Sequence, residues 1–220
     1  MSGKTPSAHK MAVQTSLILV LFTAVFTAFL SGAFSLTEDY IKAANDGEKL
    51  AAITAVLPQS LYNNDLLHDR LQLPATPELG QTDVSSVYRA RYNGQPVALA
   101  LEVVAPDGYA GKIHLIVGVH QDGHLIGVRP VAHKETPGLG DYIDPKKDRN
   151  KQSPWIAQFP GLALDNREDA QWRVHKDGGS FAFRAGATIS PRAVIKAVHK
   201  ALHFVRSNTQ RLYAEEGKKP

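Results

Sequence analysis

From Met11 to Leu36 the chain carries no charged residue, and Leu17 to Leu30 is almost wholly Leu, Ile, Val, Phe, Ala and Thr. Such a run exceeds the roughly 20 residues that cross the hydrocarbon core as a helix. Asp39 to Val56 predicts a further helix, with Ile41, Leu50 and Ile53 among its apolar positions and Pro58 as its stop. The polar stretch Gln59 to Asp83, broken by Asn63-Asn64, Pro74 and Pro77, is expected to be loop with one short helix. The period then changes to two. Tyr88, Ala90 and Tyr92 alternate with Arg89 and Arg91, Asn93-Gly94 supplies a turn, and Val97, Leu99, Leu101 and Val103 alternate after it. Ile113, Leu115, Val117 and Val119 repeat the form, with a turn at Asp122-Gly123 before Leu125 to Val128. Two consecutive hairpins predict an antiparallel sheet.

Beyond the hairpins, Ser153-Pro154-Trp155 marks a short helix ending by Pro160, and Gln171 to His175 a further strand. In the last helix Ser190 is the expected N-cap and Pro191 the first helical residue. Its apolar face is Val194, Val198, Ala201, Leu202 and Val205, which packs it on the sheet. The fold class is therefore α+β. The divisions are 1–10 as N-terminal segment, 11–36 as transmembrane helix, 37–83 as connection, 84–213 as domain and 214–220 as disordered charged tail.

Charge gives the span a direction. Lys4, His9 and Lys10 precede it, and Glu38 and Asp39 follow, so the positive-inside rule puts the N-terminus in the cytoplasm and the domain outside. Ser31-Gly32-Ala33 offers small residues for cleavage of a signal peptide, but the apolar run is longer than the usual h-region of about 7 to 15 residues, which favours a retained anchor. The mild net charge of +4 is spread along the chain and predicts no nucleic-acid partner. There is no cysteine, which excludes disulfides, cysteine-ligated zinc, iron–sulfur clusters and thioether haem. Any redox role must rest on an organic cofactor or a partner.

Three places carry candidate chemistry. His133-Lys134-Glu135 lacks a partner at catalytic spacing and is read as surface loop, so no catalytic residue is predicted. His199 and His203 share a helix face at four-residue spacing, but beside Lys196 and Lys200 they are read as solvated, and no metal site is predicted. Ala185-Gly186-Ala187-Thr188 places small residues and one hydroxyl beside a helix N-terminus, where free N–H groups and the dipole attract an anion. A phosphate site and a simple strand-to-helix turn both satisfy that pattern.

Ala-Gly-Ala-Thr-Ile-Ser-Pro-Arg-Ala-Val at Ala185 to Val194, His-Lys-Glu-Thr-Pro-Gly-Leu-Gly-Asp at His133 to Asp141 and Ala-Pro-Asp-Gly-Tyr at Ala105 to Tyr109 together resemble the G subunit of the Rnf electron-transport complex. The resemblance runs across nearly the whole chain. It implies a single-pass bacterial inner-membrane protein with a periplasmic FMN-binding domain. FMN would be joined through its phosphate to Thr188 by a flavin transferase. Ala185, Gly186, Ala187 and Ser190 would lie around the phosphate, and Glu135, Thr136, Gly138 and Leu139 near the flavin. The implied partners are the other subunits of a complex that couples ferredoxin/NADH redox chemistry to ion translocation. The family's Ser/Thr-Gly-Ala-Thr motif usually has Asp three residues before its first Ser/Thr; this chain has Ala182 at the Asp position and Ala185 at that Ser/Thr position. The alternatives are the equivalent subunit of a sodium-pumping NADH:quinone reductase and a flavin-free exported scaffold or ligand-binding module.

Overall fold

The computed structural model describes residues 8–214, with the side chains of 39–46 and 48 outside the description. The charged tail expected at Glu215 to Pro220 also lies outside the described residues. The chain divides into two units, Met1–Lys49 and Leu50–Pro220. Helix α1 runs Ala8–Thr54 without a break, so the two helices expected on either side of Leu36 are one. Nothing between them breaks helix: Thr37 turns its hydroxyl onto the Ala33 carbonyl four residues back (2.9 Å), a bond made within the helix. Its stretch Ala8–Glu38, whose most apolar 18-residue window has a mean hydropathy of 2.3, is long and apolar enough to cross a membrane.

The second unit is built on a five-stranded antiparallel meander, β1 (Arg70–Leu73), β2 (Ser85–Tyr92), β3 (Gln95–Gly108), β4 (Gly111–His120) and β5 (Leu125–Ala132), in that spatial order. Both predicted hairpins are present, with Asn93 and Gly94 at positive φ in the first turn. Strand β1 is new: the region expected to be loop pairs Arg70 with Tyr88 and Leu73 with Ser85. Four residues were too few for an alternation to register. Strand β3 continues to Gly108, so only Tyr109 and Ala110 link it to β4. Gln171 to His175 is not a strand. Trp172 and Val174 bury their side chains from between two 3-10 turns, Asp169–Gln171 and His175–Asp177, with a single bridge from Val174 to Phe181.

Helix α2 (Ile189–Tyr213, 25 residues) covers one face of the sheet, packing chiefly on β3. Val194, Val198, Ala201, Leu202 and Val205 are buried there with Val87, Leu99, Leu101, Val117 and Val119. Each large side chain so placed contributes about 1.5–3 kcal/mol. On the opposite face Ile53, Val56, Leu57, Tyr62 and Leu66 pack against Tyr88, Ala90, Ala98, Ala100 and Ile116. The sheet is thus buried on both sides, with Arg89 drawn inside to Asp69 (Nε to Oδ1, 2.6 Å) and to the carbonyl of Ala214 (2.6 Å).

Val56 approaches the sheet where two glycines face each other across β4 and β5, Gly118 opposite Gly127. A Cβ on Gly118 would stand 2.7 Å from the Val56 carbonyl oxygen and 3.1 Å from its Cβ. Since a backbone atom cannot step aside as a side chain can, Gly118→Ala is expected to cost about 1–3 kcal/mol in urea unfolding. Gly94→Ala, where a Cβ meets open space, should show only the smaller backbone penalty of its positive φ.

Candidate functional site

The Ala-Pro-Asp-Gly-Tyr turn, the His133 to Asp141 loop and the start of α2 converge on the carboxylate of Glu135. Glu135 is buried. Its Oε2 accepts the Tyr109 N–H (3.2 Å) and its Oε1 the Ala110 N–H (3.1 Å), while the Ser190 hydroxyl donates to Oε2 in a short bond. Gly108 and Gly140 make room for it: a Cβ on Gly108 would lie 2.9 Å from Oε1, and one on Gly140 3.0 Å from Oε2. Glu135 is therefore a clamp filled by protein donors. Ser190 is committed to the same clamp through its hydroxyl.

That commitment moves the helix start. The N-cap position of α2 is Thr188, with Ile189 first and Pro191 third, rather than the predicted Ser190 cap. A charge-assisted bond to a buried carboxylate outweighs a capping bond to a backbone N–H. Pro191 is tolerated because no N–H of the first turn has an intrahelical partner. The negative charge of Glu135 also suits the positive end of α2. Thr188 itself makes no side-chain capping bond. Its half-buried hydroxyl instead accepts from Arg192 Nη1 at 3.4 Å, and Arg192 is held by Asp177 through two 2.6 Å contacts.

Beside this helix start lies an open cavity of about 490 Å³ lined by Gly138, Leu139, Arg149, Asn150, Arg184, Ala185 and Ala187. Its volume is within the usual range for organic cofactors, about 300–1,000 Å³. Of the predicted site residues, Gly138, Leu139, Ala185 and Ala187 line it. Gly186, at φ 80°, and Thr188 are their immediate neighbours, and a Cβ on Gly186 would meet open space. Thr136 shapes the loop through its carbonyl, which accepts from the N–H of Leu139 (3.1 Å) and of Asp141 (3.4 Å). Leu139 keeps half its surface exposed, leaving an apolar side chain free to pack on a planar ring. His133, nearly buried, accepts the Glu135 N–H on Nδ1 at 3.2 Å and so shapes the loop backbone.

Arg149, Asn150 and Arg184 were not predicted as site residues. Arg184 lies over the Tyr142 ring, 4.6 Å from its centroid, and pairs with the fully buried Asp148. Asp148 also accepts the N–H of Trp155 (2.8 Å) and of Asn150 (2.9 Å). Burial alone would raise its pKa, but these N–H groups and the guanidinium outweigh it and hold the carboxyl below its ordinary value. Burial pushes the Tyr142 phenol up, so it stays a neutral donor, giving its proton to the Ala187 carbonyl (3.0 Å) and accepting the Arg184 N–H (3.2 Å). Ala182 is exposed and held by its backbone: its N–H donates to Gln158 Oε1 (2.7 Å), and its carbonyl accepts the Trp155 indole N–H (2.6 Å).

The residues present fit a flavin phosphate ester: a hydroxyl at a helix N-terminus with no capping bond, backbone without bulk, two guanidinium groups and an apolar rim. These are the features of a flavin-binding module, and residues 108–203 match the family described as FMN-binding domain. The chain is 42% identical over 210 residues to the G subunit of the ion-translocating oxidoreductase complex of Pseudomonas aeruginosa (strain UCBPP-PA14), covering 96% of each. It is 39% identical to the G subunit of the same complex in Vibrio atlanticus (strain LGP32), over 92% of this chain and 94% of the relative. With that of Shewanella oneidensis the figures are 37%, 92% and 93%. The chain belongs to the family of G subunits of ion-translocating oxidoreductase complexes, which are membrane-associated flavin-binding subunits of electron transport.

Two outcomes test the clamp and its neighbour. Glu135→Ala leaves the Ser190 hydroxyl and two N–H groups without their acceptor, and thermal or urea unfolding should show a loss of about 2–4 kcal/mol. Asp148, with its folded pKa below 3.8, stabilises the fold fully above that value and loses its contribution as pH falls through the lowered pKa. Asp148→Asn should thus be less stable at neutral pH, and its unfolding free energy should change less than the wild type's between neutrality and about pH 3.

Proposed function

We propose that this chain is a membrane-anchored electron carrier whose FMN is joined covalently to Thr188 through a phosphoester, within a complex that couples ferredoxin/NADH redox chemistry to ion translocation. The domain of 84–213 carries the flavin, and the span of 11–36 anchors it in the inner membrane with the domain on the periplasmic side. A flavin transferase installs the cofactor, and other subunits of the complex deliver and receive its electrons. One observation carries the reading: Thr188 stands at the N-terminus of a 25-residue helix, beside the cavity, with its hydroxyl spared from capping. The orientation rests on Lys4, His9 and Lys10 before the span against Glu38 and Asp39 after it.

The flavin supplies the electron-transfer chemistry when bound, and the protein supplies position and electrostatics. Thr188 Oγ1 would supply the ester oxygen, and the first N–H groups of α2 and the guanidinium of Arg192 would hold the remaining phosphate charge. Leu139 and Gly138 give the ring an apolar face and a close backbone. Arg149, Arg184 and Asn150 offer donors and positive charge, which favour a ring that gains negative charge on reduction.

Protein produced in cells that contain the transferase should keep an ultraviolet-fluorescent flavin after denaturing electrophoresis. Its intact mass should exceed that of the polypeptide by one FMN, and Thr188→Ala should remove both signals. An unmodified mass for the wild type under those conditions refutes the covalent link.

A further inference from the structure

We propose that Asp169, His199 and His203 form a zinc site that clips the irregular segment before α2 onto the helix. Sequence spacing pairs only the two histidines, but in the fold the ligand atoms of all three residues converge. His199 Nε2 lies 3.0 Å from Asp169 Oδ1 and 3.1 Å from His203 Nε2, and His203 Nε2 lies 3.6 Å from the same carboxylate oxygen. Zinc bonds of about 2.0–2.1 Å to nitrogen and oxygen in a tetrahedron set neighbouring donors about 3.3 Å apart. The observed triangle brackets that value. An ion about 2 Å from each corner would stand under about 1 Å out of the plane, as one with a fourth, solvent ligand does.

The donors also have the right chemistry. Two imidazole nitrogens facing each other at 3.1 Å repel through their lone pairs unless a proton or a cation lies between them. With no thiol in the chain, imidazole and carboxylate are the ligands available to zinc. His199 is fixed rather than solvated: its ring stacks on Trp172 at 5.0 Å and 13°, and Trp172 is itself buried against Phe181. Trp172 follows the 3-10 turn Asp169–Gln171, so the anchor that orients His199 also delivers Asp169. The positive group at hand is Arg206, 3.4 Å from His203 Nδ1; it also reaches Asp165 at 3.6 Å, to which it can turn when Nδ1 carries the proton. Asp169 is exposed and His203 half-buried, which leaves a route for the ion and room for its water.

Such a site is separate from the flavin tether, lying eleven residues, or about 16 Å of helix axis, beyond Thr188. Its role is structural. Among the described residues, 161–183 holds only 3-10 turns and one bridge, and a metal joining Asp169 to α2 adds a long-range constraint to it.

Equilibrium dialysis of chelator-treated, full-length protein in detergent against Zn²⁺, with elemental analysis, tests this directly. The wild type should take up one zinc per chain and unfold at higher temperature with it. Asp169→Asn with His203→Ala should weaken uptake by well over about tenfold, since even outer-shell changes cost that much. Circular dichroism of the chelator-treated forms should match. His124→Ala, which alters the other His–Asp–His cluster at the Asp122 turn, should leave uptake unchanged. Equal uptake by the Asp169/His203 variant, loss of uptake in His124→Ala, or no uptake by the wild type overturns the assignment.

Discussion

The buried carboxylate of Glu135 is the constraint on which the rest of the site depends. It has acceptor capacity on two oxygens and is buried from solvent, so it collects donors from the protein. Those donors come from the β3–β4 turn and from the second residue of α2, which are far apart in sequence. Each bond to the charged group is worth about 1.5–3 kcal/mol, enough to override the local preference of Ser190 for a cap. With Ser190 occupied, the chain enters α2 one residue after Thr188, and the Thr188 hydroxyl is left at the helix end without a backbone partner.

A second set of interactions holds the other side of the cavity. Tyr142 bonds the carbonyl of Ala187 and the N–H of Arg184, Arg184 pairs with Asp148, and Asp148 gathers the N–H groups of Asn150 and Trp155. Trp155 then returns to the carbonyl of Ala182. The turn that presents Ala185, Gly186 and Ala187 is thus positioned by its backbone and by Arg184. This explains how alanine at 182 and 185 is compatible with the site's geometry: no side chain at either position is part of the network.

The sheet can carry such loops because both of its faces are closed. Residues of opposite parity, Leu99 and Leu101 on one side and Ala98 and Ala100 on the other, belong to separate cores. Small side chains on the second face, with Gly118 and Gly127, let Val56 come close. Helix α2 needs the large residues of the first face, and its N-terminus is thereby aimed at the loop that follows β5.

How much of this was legible in the sequence varied with the range of the interaction. The apolar span, the two hairpins, the apolar stripe of α2 and the small-residue turn before it are patterns within a few residues, because periodicity records which side of an element meets water. Those patterns, with the three motif stretches, were enough to name the fold class and to single out Thr188. Strand β1, the true start of α2, the clamp at Glu135 and the approach of Asp169 to His199 and His203 were decided only by tertiary structure. So were the places of Arg149, Asn150 and Arg184 on the cavity wall. The partners that close the Glu135 clamp and the Asp169–histidine approach lie 25 or more residues away, as Ala110 does from Glu135 and Asp169 from His199. A hydrogen bond or ligand set closed over that distance leaves no period in the chain, and it takes the folded backbone to bring its members together.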